Sequence, residues 1–281
     1  MREKVDILVT LNENYLKPLK VMLLSLHDTN PHLSIKVWLV HEKIPQNKLE
    51  QLEVLLSSFD MELETINVPP NYFGNAKTVE RYPQEMYFRL ACGELLPKTV
   101  TKILYLDPDI LVINPIDDLW HLDLEENIFA AATHERLTKV TQSMNNLRLG
   151  TKQGQVYFNS GVMLIDVEKA RQHISMDDIF DYIHKNNQYL LLPDQDVMNS
   201  LYGDKIKEIP EEVWNYDTRK AAMYYTKSVG VYNRHWVAYH TVFLHFCGRP
   251  KPWDLKSSSR FTMLYLQYQK KLEHLERKSE K

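Results

Sequence analysis

Residues 102–111 read KILYLDPDIL. Ile103 to Leu106 are apolar on successive residues, the pattern of a strand buried on both faces rather than one. The chain then changes character in a single step, to Asp107-Pro108-Asp109. Pro108 has no backbone donor and pushes Asp107 toward an extended conformation. Residues two apart in an extended chain point to the same side, so Asp107 and Asp109 aim together. Two ionised carboxylates in one place repel, so either one takes a proton or a cation intervenes. The stretch alone admits two readings: a strand-ending turn with two solvated aspartates, or two ligands of a divalent metal.

The residues before it set the context. VDILVT (5–10), IKVWLV (35–40) and LETINV (63–68) read as strands. Between them lie helical patterns. NYLKPLKVMLLSLHD (14–28) spaces Leu16, Leu19, Leu23 and Leu26 on one face. PQNKLEQLEVLLSSF (45–59) does so with Leu49, Leu52, Leu56 and Phe59, and places Pro45 at the first turn. PQEMYFRLACGELL (83–96) reads as a third helix, closed by Pro97. This β-α-β-α rhythm predicts an α/β fold with a mixed, mostly parallel sheet flanked by helices. Ligands of such sheets gather at the carboxyl ends of the strands, where Asp107 and Asp109 fall.

The second half is less regular. IFAAAT (128–133), GVMLID (161–166) and TVFLHF (241–246) read as strands, and DQDVMNSLYG (194–203) as a short helix. No internal repeat or Gly/Ser/Pro-rich linker divides the chain. The organisation expected is one domain over 1–255 with a basic helical tail over 256–281. That tail carries seven Lys or Arg against three Glu. It is either a solvated helix packed on the body or a basic amphipathic contact for anionic lipid or a partner.

Composition removes several classes of function. The formal net charge of −3 lacks the basic excess of a nucleic-acid footprint. Two distant cysteines, Cys92 and Cys247, suggest neither a disulfide framework nor a zinc knuckle and suit a reducing cytosol. The apolar run after MREKV is too short for a signal peptide, and no stretch reaches the length of a membrane span. A cytoplasmic protein is expected, with peripheral contact at the inner membrane face as an option through the tail. Glycine is scarce, 8 of 281 residues, and no G-x-G occurs. Neither the dinucleotide fingerprint nor a P-loop can be built.

Three further stretches bear on the carboxylates. YFNSGVMLID (157–166) sets Asn-Ser-Gly before a buried strand, PDQDVMN (193–199) supplies Asp194, Gln195 and Asp196 at a helix start, and HFCGRPKPW (245–253) supplies His245, Gly248 and Lys251. Each alone has a plain explanation: a turn, a helix cap, a loop. In order with LVTLNENYLKPLKVMLLSL, MYFRLACGELLP, KILYLDPDILV and VWN, the set resembles glycosyltransferase family 8, over roughly residues 4 to 253.

The resemblance implies a GT-A fold and a retaining transfer of a hexose, glucose or galactose, from a UDP-sugar to a glycan or lipid-linked acceptor. It implies that Asp107, Asp109 and His245 hold a divalent cation, usually Mn²⁺. Lys251 and the Gly248 N–H would take the diphosphate, in place of a glycine-rich loop. Thr10, Asn12, Asn14 and Tyr15 would meet the nucleoside. Members often carry Asp where this chain has Asn12, which leaves the base preference open. Arg89 matches an arginine that contacts the donor. Asn159, Asp194 and Gln195 would meet the sugar, with Gln195 beside the reacting face and Asp194 on its hydroxyls. Asp109→Asn is expected to abolish metal-dependent turnover with little loss of stability.

Two assignments are weaker on the residues themselves. WNYDTRKAAMYYTKSVGVYNRHW (214–236) either lines an acceptor site or packs its rings into the core. The polar stretch 134–155 is either a lid or a surface loop. Rival functions are a non-catalytic nucleotide-sugar-binding protein and a haloacid-dehalogenase-type phosphatase. The phosphatase motif normally follows the first strand, whereas about a hundred residues precede this one.

Overall fold

The computed structural model describes residues 2–69, 72, 84–133, 148–150 and 155–279. A seven-stranded sheet has the order β3-β2-β1-β4-β7-β6-β8. Its strands are β1 (Glu3–Thr10), β2 (Leu33–His41), β3 (Glu62–Asn67), β4 (Lys102–Leu106), β6 (Phe129–Thr133), β7 (Phe158–Asp166) and β8 (Ile206–Ile209). All neighbours pair in parallel except β7, which runs antiparallel to both β4 and β6. A second, three-stranded sheet joins β5 (Ile110–Val112), β10 (Phe243–His245) and β9 (Tyr216–Asp217). The expected strand at 241–246 is therefore real but short, and it lies in this smaller sheet.

The central strands are buried on both faces, as their unbroken apolar runs require. Leu104 and Leu106 of β4 enter one core, and Ile103 and Tyr105 the other. β1 divides in the same way, with Val5, Ile7 and Val9 on one side and Leu8 on the other. Helix α1 (Leu16–Thr29) covers the first core with Leu16, Leu19, Leu23 and Leu26, all buried. Helix α2 (Gln46–Ser57) adds Leu49, Leu52 and Leu56, with Phe59 buried just beyond its end. Pro45 is its cap rather than a member of its first turn, a one-residue difference.

The helix expected over 83–96 does not form as one piece. Gln84–Tyr87 is a 3-10 turn and Cys92–Leu95 a single α-turn. All eight residues from Glu85 to Cys92 are buried. The segment is therefore a buried run of short turns rather than a surface helix with one face to water. Helix α3 (Pro193–Tyr202) matches the expected 194–203. Helix α4 (Thr262–Ser279) lies along α1, with Tyr265 and Leu272 buried. Its Glu273 and Glu276 pair with Lys17 (3.0 Å) and Lys20 (2.8 Å), and Lys271 pairs with Asp28. Among the described residues, no helix is long and apolar enough to cross a membrane.

Candidate functional site

The carboxyl ends of β1 and β4 lie side by side, because the strands pair in parallel. Thr10 ends β1, and its hydroxyl lies 3.4 Å from that of Tyr105. Asp107 follows β4. The reversed direction of β7 brings the start of that strand to the same edge, and the Asp107 N–H donates to the Gly161 carbonyl (2.8 Å). Asn159, Ser160 and Gly161 are thus neighbours of the two aspartates. β10 contributes His245 through its pairing with β5, which places His245 opposite Ile110.

Asp107, Asp109 and His245 form one group, with a ligand atom from each within 4.8 Å of the others. His245 Nε2 lies 3.2 Å from Asp109 Oδ1 and 3.7 Å from Asp107 Oδ2. Asp109 also ion-pairs with Lys251, whose ammonium donates to the Phe246 carbonyl as well (3.1 Å). Burial alone would push the Asp109 carboxyl up, but Lys251 and then His245 outweigh it and hold it well below the usual carboxylate range. Lys251 is shifted up by the same pairing, against its burial. Burial also opposes charge on His245, and Cys247 and Asp109 outweigh it, so its pKa is raised. A proton on Nε2 and a metal ion compete for one lone pair.

The group fits a hard divalent cation on two counts. Its donor set is two carboxylates and one imidazole. Space is also kept for those donors: a Cβ on Gly161 would sit 2.3 Å from His245 Cε1 and 2.8 Å from Asp107 Oδ2.

Arg89 ties this group to the helix start of α3. Its guanidinium lies 3.1 Å from Asp107 Oδ1 and 3.3 Å from Asp194 Oδ2, and donates to the carbonyls of Met86 and Ser160 (2.9 Å each). It also stacks over the Tyr105 ring at 4.3 Å, and that hydroxyl donates to Asp107 (2.6 Å). Burial works against the charge of Arg89, while Asp107, Tyr105 and Asp194 raise its pKa. Asp194 accepts from the Ser160 hydroxyl (2.9 Å). Its pKa is raised mainly by burial, which Arg89 offsets only in part.

A set of amides lies beside these charges. Gln195 Oε1 accepts from Asn159 Nδ2 (3.1 Å) and the Ser160 N–H (3.3 Å). Asn159 Oδ1 accepts from the Gly161 N–H (2.9 Å) and Asn215 Nδ2 (2.7 Å). Asn215 Oδ1 is 2.7 Å from His245 Nδ1. The nitrogen of Gln195 is buried without a hydrogen-bond partner.

The expected residues divide accordingly. Arg89, Asp107, Asp109, Asn159, Asp194, Gln195, His245 and Lys251 come together, with Thr10 adjoining through Tyr105. Tyr15 reaches the cluster's rim, its ring edge-on to Trp253 at 6.2 Å. Gly248 has φ +71°, and its open side is filled by Arg219, which Asp217 clamps at 2.9 and 2.7 Å. Asn12 spends its oxygen on the Asn14 N–H (3.1 Å), capping the turn Glu13–Tyr15, and Asn14 is exposed. Asp196, adjacent to Gln195, is fully buried; it holds Arg148, Tyr157 and the N–H groups of Leu191 and Leu192.

The rings of 214–236 split between the two expectations. Tyr216 and Tyr224 pack in the core, 4.5 Å apart. Tyr225 and Tyr232 border a cavity of about 400 Å³ with Arg234, Arg260 and Phe261. Of the expected lid, 134–147 and 151–154 lie outside the described residues.

Residue reading missed Ser160, Tyr105, Asn215 and the spatial need for Gly161. Asn215 stood within the VWN stretch, and its signal was a lone amide following an aromatic residue.

Comparisons with known proteins show the family and the fold. A family model described as Glycosyl transferase family 8 matches residues 6–257. General stress protein A of Bacillus subtilis is 26% identical over 276 residues, covering 95% of this chain and 93% of that protein. Lipopolysaccharide 1,2-glucosyltransferase of Escherichia coli K12 is 25% identical over 252 residues, covering 89% and 73%. The crystal structure of the galactosyltransferase LgtC with donor and acceptor sugar analogues superposes with a TM-score of 0.80 at 25% identity, covering 95% and 96%.

Proposed function

The chain belongs to glycosyltransferase family 8 and is a glycosyltransferase of the GT-A fold, and from that premise we propose that it transfers a hexose, glucose or galactose, from a UDP-sugar to a glycan or lipid-linked acceptor of the cell envelope. The observation that carries this reading is the convergence of Asp107, Asp109 and His245 with Lys251 and with the Asn159–Asp194–Gln195 group at one sheet edge.

Asp107, Asp109 and His245 are proposed to hold Mn²⁺, a better match to two carboxylates and an imidazole than an all-oxygen Ca²⁺ cage. When bound, the ion supplies charge neutralisation for the departing diphosphate. Lys251 brings an ammonium to the same place and takes a phosphate oxygen, and the Gly248 N–H takes another. Thr10, Asn12, Asn14 and Tyr15 line the nucleoside end, with Asn12 contributing its nitrogen, since its oxygen caps the turn.

Arg89 holds Asp107 and Asp194 at fixed separation, and so contacts the donor from beside them. The Asn159 amide and the Asp194 carboxylate bind sugar hydroxyls. Gln195, its oxygen pinned by two donors, lies beside the reacting face. Configuration is retained. Residues 1–255 form the catalytic domain on this reading. Along the tail, Glu273 and Glu276 face α1, so Lys270, His274 and Arg277 remain outside for peripheral contact with anionic lipid at the cytoplasmic face.

The test is UDP release from UDP-glucose and UDP-galactose, with Mn²⁺ or EDTA, with and without saccharide acceptors. Metal-dependent release stimulated by an acceptor is expected. Release unaffected by EDTA would remove the metal from the mechanism, and binding without release across the acceptors would make the chain a sensor.

A further inference from the structure

Backbone donors decide which way the amides of the site point. The N–H groups of Ser160 and Gly161 can only donate. The Gly161 N–H meets Asn159 at 2.9 Å, so that end of Asn159 is oxygen. The Ser160 N–H meets Gln195 at 3.3 Å, so that end of Gln195 is oxygen too. Asn159 then has its nitrogen toward Gln195 Oε1, at 3.1 Å, in agreement with both anchors. Asn215 approaches the oxygen of Asn159 at 2.7 Å and must present its own nitrogen there. Its oxygen is left for His245 Nδ1, at 2.7 Å. That oxygen accepts only, so Nδ1 carries the proton of the neutral ring. The lone pair then sits on Nε2, the nitrogen 3.2 Å from Asp109.

We propose that Asn215 is a positioning residue that selects the metal-binding tautomer of His245. The inference rests on reading Asp107, Asp109 and His245 as a metal site. It adds that His245 and Gln195 are ends of one chain of amide bonds, so neither can reverse alone. The side chain on the sugar face and the ligand on the metal face share one orientation, set by two peptide N–H groups of β7. Outer partners of this kind typically shift metal affinity by about 10- to 100-fold.

Three substitutions separate this from a general loss of packing. Asn215→Leu keeps the volume and removes the acceptor. Asn215→Asp keeps an acceptor for Nδ1 but cannot donate to Asn159. Asn159→Asp still accepts from Gly161 and Asn215 but cannot donate to Gln195. Mn²⁺ affinity is measured without donor or acceptor, by electron paramagnetic resonance of the free ion. The His245 tautomer is read from side-chain ¹⁵N–¹H spectra with diamagnetic Mg²⁺.

The wild type is expected to show the proton on Nδ1. Asn215→Leu is expected to lose about 10- to 100-fold in Mn²⁺ affinity and to show a mixed or Nε2-protonated ring. Asn215→Asp and Asn159→Asp are expected to keep the tautomer and the affinity, while Asn159→Asp loses turnover through Gln195. A wild-type ring protonated on Nε2, an unchanged affinity in Asn215→Leu, or a lost tautomer in Asn215→Asp would each overturn the proposal. A wild type that binds no Mn²⁺ would instead overturn the metal site on which it rests. Should Asn215→Leu fail to fold, Asn215→Ala takes its place, with the same loss of affinity expected and an unchanged affinity overturning the proposal.

Discussion

One side of the site, Asp107 and Asp109 with Arg89 and Lys251, is held by charge; the other, Asn159, Asn215 and Gln195, is held by directed amide bonds. Attraction between charges declines gradually with distance. A hydrogen bond fails within about half an ångström or at a poor angle. The charged side should therefore survive small displacements but not neutralisation. The amide side should be indifferent to net charge but not to the reversal of a single group. Gly161 lies at the seam, its carbonyl bonded to Asp107 and its N–H to Asn159.

Neutralising the charged side should have the largest effect. Asp109→Asn is expected to lower UDP release by on the order of 10²-fold or more. Asp109 is only 6% exposed and carries Lys251, so the substitution strands a buried ammonium. A cost of about 3–5 kcal/mol follows, read from denaturant unfolding, which revises the expectation of little loss of stability. Adding Lys251→Met should return stability without returning turnover; a double variant as unstable as the single one would show that the pairing is not what matters.

Forcing the two sides apart comes next. Gly161→Ala places a methyl against His245 and Asp107. It should cost about 1–3 kcal/mol and weaken Mn²⁺ binding by roughly tenfold. Wild-type affinity in that variant would mean that the seam is looser than described.

Asp194 belongs to both sides, through Arg89 and through Ser160. Its raised pKa means that ionisation costs more in the folded chain than in the unfolded one. Its contribution to stability is full below the ordinary value of 3.8 and is lost as pH rises through the raised folded value. Asp194→Asn should therefore melt above the wild type at pH 7, by a margin that shrinks toward pH 4, while its turnover falls. A variant that melts lower at pH 7 would reverse the assignment.

The smallest effect should come from outside the site. Lys17→Ala removes an exposed pair to Glu273 and should leave both melting temperature and Mn²⁺ affinity unchanged.

The charged side was the legible side. Apolar runs report burial, so β1, β2 and β4 and the faces of α1 and α2 could be read from their spacing. A carboxylate pair after such a run is conspicuous. Direction is not written in hydrophobicity, and nothing in GVMLID announces that β7 runs backward. The reversal is nonetheless what brings Asn159, Ser160 and Gly161 to the edge occupied by Asp107. Short strands such as Ile110–Val112 and Tyr216–Asp217 are too brief to show a period. The segment 83–96 shows the opposite failure: its composition is helical, but Glu85 to Cys92 lies buried throughout and the chain there forms short turns. Amide networks are illegible for a different reason. Asn and Gln are common on surfaces, and only the contacts of Asn215 distinguish it from those.

The β1–β4 pairing and the small sheet also bear on how the molecule folds. β1 to β3 can be laid down largely in sequence, each crossover closing a modest loop. The site cannot, because the pairing that sets the end of β1 beside Asp107 joins Ile7 to Leu104, and Val112 must find Phe243 from more than a hundred residues away. Contacts between distant residues form late, since loop closure comes before any gain from pairing. During refolding β1, β2 and β3 should acquire their protection against hydrogen exchange first. The capacity to bind Mn²⁺ should appear only in the last phase, when a chain already mostly folded brings His245 to its two aspartates.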